Sequence, residues 1–290
     1  MNDFMQFLFS GLTVGSIYAL AALGFTIIYN ASGVINFAQG DFLMLGGMIT
    51  VALIQLHVPI VLAAPAAVLA TVVIAGLIQR FAVAPAGDAN VLTLIIITIG
   101  ASIFLQGVTQ IVLGKNQHTL PSFSGDMPLV IGGARLLPQS LWIIGVGAVM
   151  VTLVGCFFRF TLLGKAMLAV SMNKAAAQMV GINTRILLLL SFCLAGLLGA
   201  VAGIVATPIT TTVYDIGLML GMKGFVAASL GGLNSGVGAV VGGLIVGILE
   251  AMVAGYVSSA YKDAVPFVMI IIILLLMPRG LFGAKVSERV

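Results

Sequence analysis

Three ionisable residues, Asp41, Lys223 and Glu250, fall inside long apolar segments of the 290-residue chain. A charged side chain at membrane depth is costly, so it usually faces other protein groups or a water-filled cavity. Asn36 and Gln39 precede Asp41 in the same segment, VINFAQGDFLMLGG. These three polar residues and Glu250 are therefore expected to face protein groups or such a cavity. Helix capping or hydrogen bonding between helices would also explain each of them.

The sequence contains no motif for nucleotide hydrolysis. The phosphate-binding pattern G-x-x-x-x-G-K-[ST] does not occur, and Gly164-Lys165 is followed by Ala166. The zinc-protease pattern H-E-x-x-H and the nucleophile pattern G-x-S-x-G do not occur either. We therefore expect a protein that is not an enzyme and that binds no metal or cofactor of its own. If it moves a solute uphill, the energy must come from an ion gradient or from a partner.

Composition indicates a membrane protein. The chain is 61% hydrophobic and only 7% charged, with a mean hydropathy of +1.25. A soluble domain is about one quarter charged, so this chain cannot cover itself with a polar surface. Its net charge of +4 is spread between apolar segments and indicates membrane topology rather than binding to nucleic acid.

The apolar segments predict an all-α polytopic membrane protein. A membrane-spanning helix needs about 20 mostly apolar residues. We expect about eight transmembrane helices, with partial or re-entrant segments, and the sequence leaves a count of nine open. The glycines Gly40, Gly46 and Gly47 predict an interruption in the second segment. The predicted segments are 4–29, 34–56, 59–81, 91–113, 140–158, 186–207, 217–230, 237–256 and 264–277.

The basic residues predict an orientation. Residues 159–185 carry four of the twelve Lys and Arg residues and no acidic residue, and they separate two membrane-length segments. Basic loops are enriched in the cytoplasm. With this loop inside, alternation places the N-terminus outside, the 114–138 loop outside, with a short hairpin at residues 130–134, and the C-terminus inside. Three basic residues then lie outside (Lys115, Arg135, Lys262), one lies at membrane depth (Lys223) and eight lie inside: Arg80, Arg159, Lys165, Lys174, Arg185, Arg279, Lys285 and Arg289.

A short helix is predicted within this basic loop. Asn173 can cap it by accepting backbone N–H groups at its start, and KAAAQMV, residues 174–180, has high helix propensity. Gly181 suits the left-handed position that ends a helix. A capped helix held between two spans is suited to dock into a cleft of another protein. The alternative is an ordinary solvent-exposed surface helix.

Four patterns in order along the chain resemble permease subunits of bacterial branched-chain amino acid ABC importers. The pattern G-K-A-x-x-A-x-x-x-N-x-x-A-A-x-x-x-G-I-N at residues 164–183 resembles the coupling-loop signature of that family. Residues 11–47 resemble its opening signature, residues 224–250 its third block, and LMPRGLFG its C-terminal end. The opening is most similar to the first, LivH-type, subunit. The family often has arginine where this chain has Leu168.

The resemblance implies a permease with the type II ABC importer fold, in which residues 1–290 form a single transmembrane domain of the bacterial inner membrane. It implies a second homologous permease subunit (LivM-type), two cytoplasmic ATPase subunits that use ATP, and an external solute-binding protein. The pathway would run between the two permeases, and its candidate lining residues in this chain are Asn36, Gln39, Asp41 and Glu250. Contact with the ATPases would involve the loop residues Gly164, Lys165, Ala166, Asn173, Lys174, Ala176, Ala177, Gly181, Ile182 and Arg185.

The sequence does not identify the solute. The resemblance implies leucine, isoleucine and valine, with related permeases for urea, short amides or aromatic acids. A different class of function, an ion-coupled secondary carrier or a channel, would rely on Asp41, Lys223 and Glu250. A membrane scaffold without transport is a third alternative. The acid-free loop with its capped helix favours the ATPase-coupled permease.

Overall fold

The computed structural model describes residues 2–87, 89–131, 133–277 and 279–283. The predicted positions Lys285 and Arg289, and Pro278 of the C-terminal pattern, lie outside these ranges. Within them the chain is almost entirely helical. The helices are α1 Asn2–Ser32, α2 Gln39–Gln55, α3 Ile60–Ile78, α4 Val91–Leu113, α5 Pro138–Phe160, α6 Leu162–Met172, α7 Lys174–Met179, α8 Thr184–Thr210, α9 Ile216–Gly231, α10 Gly236–Tyr256 and α11 Ala264–Leu276.

Shorter elements connect some of these helices. A π-helical turn, Gln79–Val83, and a 3-10 turn, Ala84–Ala86, continue α3, and a second 3-10 turn, Ser259–Tyr261, precedes α11. Strands β1 Leu129–Ile131 and β2 Ala134–Leu136 pair antiparallel, which confirms the predicted hairpin.

The all-α polytopic prediction is confirmed. Six helices in the described ranges are long and apolar enough to cross a membrane: α1, the continuous helix from Ile60 to Ala86, α4, α5, α8 and α10. Four shorter apolar helices, α2, α6, α9 and α11, accompany them. The sequence did not predict α6 as a separate helix, because a segment of 11 residues between two caps has no membrane-length signal.

Helix α1 is the centre of the bundle. It is almost entirely buried between Gly11 and Ile28 and packs against α10, α8, α9 and α5. Gly11 and Gly15 face the backbone of α10, where a Cβ atom would come within 2.6 Å of the Ile248 Cα and 2.9 Å of the Leu244 Cα. Lipid supplies no hydrophobic drive between helices, so this close backbone contact provides the van der Waals attraction that holds them together.

Helix α2 is continuous across Gly40, Gly46 and Gly47, so the predicted interruption is wrong, but with 17 residues it is one of the short segments that were predicted. Its N-terminal side is non-helical from Gly33, which has a positive φ of 73°, to Ala38. Gly46 lies against the backbone of Ala200, and Gly47 lies against Thr207, both on α8. These glycines therefore allow two helices to approach closely and do not break one.

Hydrogen bonds between helix ends and loops show which ends lie on the same side of the bundle. Gln6, near the start of α1, exchanges two bonds of 2.7 and 2.9 Å with the backbone of Arg135 in the hairpin. His118 pairs with Thr212 just after α8. At the opposite side, the N–H groups of Leu281 and Phe282 donate to the end of α9. Because α5 crosses from the hairpin to the other side, the segment with α6 and α7 lies opposite the N-terminus.

Candidate functional site

The segment between α5 and α8 is ordered by three successive helix caps. The Thr161 hydroxyl accepts from the Gly164 N–H at 3.0 Å and starts α6. The Asn173 Oδ1 accepts from the Ala176 N–H at 3.0 Å and starts α7, as predicted. Asn183 accepts from two N–H groups at the start of α8. A side-chain oxygen placed just before a helix satisfies donors that otherwise lack an intrahelical partner.

The C-terminal end of α7 also has the predicted form. Gly181 adopts a positive φ of 87°. Its N–H donates to the Gln178 carbonyl, and the Ile182 N–H donates to the Ala177 carbonyl, both at 3.0 Å. This pair of bonds is the Schellman arrangement, which turns the chain sharply back after a helix. It directs Ile182 toward the bundle.

Two of the predicted coupling residues are buried and position the segment. Gly164 lies against the carbonyl of Phe157, where no Cβ atom would fit, and Ala177 belongs to the hydrophobic core with Met167 and Leu187. Ala166 and Ile182 are half-buried. The other predicted coupling residues, Lys165, Asn173, Lys174, Ala176, Gly181 and Arg185, are exposed.

The exposed side of this segment carries large apolar side chains that the sequence reading missed. Met172, Met179 and Val180 are 88%, 87% and 77% exposed. Contiguous exposed apolar residues indicate a site of protein contact, and methionine adapts well to a partner surface. The sequence could have indicated these residues, because they are apolar side chains in an otherwise polar loop. Leu168, also partly exposed, borders an apolar cleft between α1, α5 and α10.

The predicted pathway residues of the second segment are close together and buried. Asn36, Gln39 and Asp41 are all at most 1% exposed. The Asn36 Oδ1 accepts from the Ala38 N–H at 3.2 Å, and the Gln39 amide donates to the Ala195 carbonyl on α8 at 3.2 Å. Each of the three side chains also has one buried atom without a hydrogen-bond partner.

Helix α4 presents a polar stripe to this group. The Gln106 amide donates to the Asp41 Oδ1 at 2.9 Å and to the Ser102 hydroxyl at 3.2 Å. The Phe37 N–H donates to the Thr98 hydroxyl at 3.3 Å. The sequence reading missed these α4 residues, although the spacing of Thr98, Ser102 and Gln106 places them on one helix face.

Glu250 belongs to a different cluster. Its Oε1 accepts from the Lys223 ammonium at 2.7 Å, and its Oε2 accepts from the Tyr18 hydroxyl at 2.9 Å. Lys223 also donates to the Asp263 carboxylate at 2.6 Å. Paired and hydrogen-bonded in this way, the buried Lys223 and Glu250 avoid the full cost of isolated charges in the membrane.

Asp263, at the exposed end of this cluster, is half-exposed and lies outside the spans. The hydrogen bond from Lys223 holds the pKa of the Asp263 carboxyl below its usual value. The stabilisation from this bond is therefore present at neutral pH and is lost only as the pH falls through that lowered pKa. Among the described residues, no three His, Cys, Asp or Glu side chains form a group that could hold a metal ion.

Comparison with known sequences identifies the family. The profile of the family described as branched-chain amino acid transport system, permease component, matches residues 7–274. The chain belongs to this family.

Two characterised relatives match the whole length of this permease. It is 36% identical to the high-affinity branched-chain amino acid transport system permease protein LivH of Escherichia coli (strain K12), over 99% of this chain and 98% of LivH. It is 32% identical to the corresponding permease protein BraD of Pseudomonas aeruginosa, with the same coverage.

A solved structure shares the fold of this permease. It is described as PsaBC from Streptococcus pneumoniae in complex with Fab, and it aligns with a TM-score of 0.53 over 94% of this chain and 92% of that chain. The identity is 18%, so this likeness concerns the fold alone.

Proposed function

We propose that this permease forms half of the translocation pathway of an ATP-driven importer for leucine, isoleucine and valine. The observation that carries the proposal is the doubly capped helix α7, held between two spans and presenting exposed apolar and basic side chains. Full-length similarity to LivH and BraD supports the choice of solute. The energy comes from ATP used by partner subunits.

The proposed assembly contains four kinds of subunit. This permease pairs with a second, LivM-type permease, two ATPases bind on the cytoplasmic side, and a solute-binding protein delivers the solute from outside. Residues 1–290 act as one permease domain of the inner membrane. The excess of basic residues on the α6–α7 side supports a cytoplasmic position for the 159–185 loop and the C-terminus, and an external position for the N-terminus and the 114–138 loop.

The coupling residues take four roles in this proposal. Gly164, Ala177 and Ile182 hold α6 and α7 against the bundle, so that a push on α7 is transmitted to α5 and α8. Contact with the ATPases falls to Met172, Met179 and Val180, together with the exposed Lys165, Lys174 and Arg185. Asn173 and Gly181 cap the two ends of α7 and so set its shape. Ala166 and Ala176 provide small side chains between the buried and the contacting residues.

The substrate pathway is proposed to pass Asn36, Gln39 and Asp41. Their support is burial at membrane depth together with atoms that lack partners. Glu250 is also retained as a candidate from the sequence, but its carboxylate is already bonded to Lys223 and Tyr18, which supports a structural role.

A charge placed on the exposed side of α7 tests the coupling proposal. Met179→Glu would put a carboxylate into the proposed ATPase contact. We expect uptake of labelled leucine to fall by about tenfold or more, because burying an unpaired charge costs more than the roughly 1.4 kcal/mol that corresponds to tenfold. Uptake and ATP hydrolysis are measured in proteoliposomes that contain the complete transporter.

The matched control is Met127→Glu, since Met127 is equally exposed, at 87%, but lies in the 114–138 loop. This variant should retain uptake. Normal uptake by Met179→Glu would contradict the assignment of the contact. Transport of leucine by this chain alone, without ATP or partners, would refute the importer proposal itself.

A further inference from the structure

The boundary between α2 and α4 is polar although both helices are apolar. On α4, Thr98, Ser102 and Thr109 are buried, and Gln106 bonds to Asp41 across the boundary. We refer to Asp41, Thr98, Ser102 and Gln106, together with Asn36 in the loop that precedes α2, as the α2/α4 seam. A lipid-embedded helix pair needs few polar side chains at its contact, so a seam with this many polar groups has more hydrogen-bonding capacity than packing requires.

Part of that capacity is unused. The Asp41 Oδ2 and the Asn36 Nδ2 are buried and have no hydrogen-bond partner among the described residues. One atom is an acceptor on an acidic group, and the other is an amide donor. Unpaired polar atoms in an apolar surrounding are unfavourable and commonly mark a site that binds something else. The seam thus offers one acceptor for a cationic group and one donor for an anionic group.

An apolar cavity borders α2 and α4 beside the seam, and the seam residues themselves are not part of its lining. A space of about 550 Å³ lies between α3 and α4 and is lined by Leu45, Ile78, Phe104, Leu105 and Thr109, among others. Leu45 lies one helical turn beyond Asp41 on α2, and Leu105 and Thr109 flank Gln106 on α4. A volume of this order accommodates a small ligand. Polar groups beside an apolar cavity match a molecule that has a charged head and an aliphatic body.

Helix α4 is the element most free to open the seam. Most of its surface is exposed, and its main contacts are with α2 and the π-helical turn after α3. Gly87 precedes it with a φ of 57°, and Gly114 follows it with a φ of 84°. Glycines in this region permit large backbone changes at the ends of an element. A movement of α4 away from α2 would expose Asp41, which is closed off in this structure.

We propose that the α2/α4 seam and the adjoining cavity bind a zwitterionic amino acid. The Asp41 carboxylate accepts from the α-ammonium group, the Asn36 amide donates to the α-carboxylate, and the aliphatic side chain enters the cavity lined by Leu45 and Leu105. Gln106 releases Asp41 when the ligand enters. This inference rests on the proposed function, since it assigns a binding site for the proposed solute.

Cysteine accessibility tests the site directly. Ser102→Cys is introduced after Cys156 and Cys193 have been replaced by serine, and the complete transporter is treated with a small methanethiosulfonate reagent during ATP turnover. We expect modification that leucine prevents and that isocaproate, which is leucine without its amino group, does not prevent. If Asp41→Asn is added, leucine should no longer protect the thiol introduced by Ser102→Cys from the reagent.

Uptake measurements provide the second test. Asp41→Asn should lower kcat/KM for leucine uptake by about tenfold or more, because a charge-assisted hydrogen bond is lost. Gln106→Leu should lower it less. The matched control is Gln110→Leu, one turn further along α4, which should stay within about twofold of the unmodified transporter. Subunit stoichiometry and ATP hydrolysis are measured for each variant, so that failure to assemble is recognised.

The two proposals fail in different ways. If the unmodified transporter does not take up leucine, the proposed function is wrong. If it takes up leucine, but Asp41→Asn leaves kcat/KM unchanged or leucine and isocaproate protect Ser102→Cys equally, only the α2/α4 site is overturned. No modification of Ser102→Cys in any state would also overturn it, because the seam would then stay closed.

Discussion

At the residue scale, neighbouring positions of one motif perform different tasks. Ala177 and Met179 are two residues apart on α7, yet Ala177 is buried in the core and Met179 is almost fully exposed. A bulky charge at Ala177 would therefore disrupt the attachment of α7 itself, whereas a charge at Met179 affects only what docks there. Asp41 and Glu250 also differ, although both are buried. One oxygen of Asp41 has no hydrogen-bond partner among the described residues, whereas both oxygens of Glu250 have one.

Removing the ammonium of Lys223 should destabilise the permease. Lys223→Met leaves Glu250 buried without its counter-charge, and breaking a buried pair in this way costs about 3–5 kcal/mol. We expect the purified complex to have a lower Tm, which is measured by monitoring thermal unfolding with fluorescence. The double variant Lys223→Met with Glu250→Gln should recover part of the loss, because it removes the unpaired charge.

The control for this series is Lys262→Met, since Lys262 is an exposed lysine next to Asp263 of the same cluster. It should leave the Tm unchanged. If Lys223→Met melts at the same temperature as the unmodified permease, the pair with Glu250 contributes nothing to stability.

At the element scale, glycine decides which helices approach closely. Gly199 and Gly203 on α8 face Phe42 and Leu43 on α2, and Gly40 on α2 faces Gly217 and Gly221 on α9. Helix α4 differs, because its glycines Gly100 and Gly107 face open space. The α1, α2, α8, α9 and α10 group is thus a tightly packed unit, and α4 lies at its side, joined through the polar seam.

A methyl group added between α2 and α8 should separate them. Gly203→Ala places a Cβ atom against the backbone of Leu43. Overpacking of this kind costs about 1–3 kcal/mol, so we expect a lower Tm and a lower yield of assembled complex. Gly100→Ala is the comparison variant, and it should be neutral or stabilising by up to about 1 kcal/mol, since alanine is the better helix former. Equal melting temperatures for both variants would show that α2 and α8 are not in backbone contact.

At the scale of the whole molecule, the helix ends lie on two sides that differ in charge. The side with α6 and α7 carries Arg80, Arg159, Lys165, Lys174, Arg185 and Arg279. The side with the hairpin carries Lys115, Arg135 and Lys262 together with Asp3, Asp126, Asp215 and Asp263. The hydrogen bonds between Gln6 and Arg135, and between His118 and Thr212, link the ends of α1, α5 and α8 on the second side.

Cysteine labelling in intact cells tests the orientation. In a chain without Cys156 and Cys193, Lys174→Cys should react only with reagents that reach the cytoplasm, because basic loops are retained there. Lys115→Cys, exposed on the opposite side, should react with an impermeant reagent added outside. The reverse pattern would invert the membrane topology and, with it, the proposed ATPase contact.

The sequence by itself determined the membrane class, the approximate spans and the local structure of residues 173–181. Apolar length and basic charge act over short stretches, and the caps at Asn173 and Gly181 join atoms only a few residues apart. The family resemblance, carried by motifs of the same local kind, is confirmed by the match over residues 7–274.

Only the tertiary structure decided which polar residues meet. Glu250 bonds to Tyr18 and Lys223, which are 232 and 27 positions away, and Asp41 bonds to Gln106, which is 65 positions away. It also decided that Gly46 and Gly47 pack against α8, and that Ala177 faces inward while Met179 faces outward. These outcomes depend on how separate helices rotate and pack against one another, and no local pattern of apolar and polar residues specifies that arrangement.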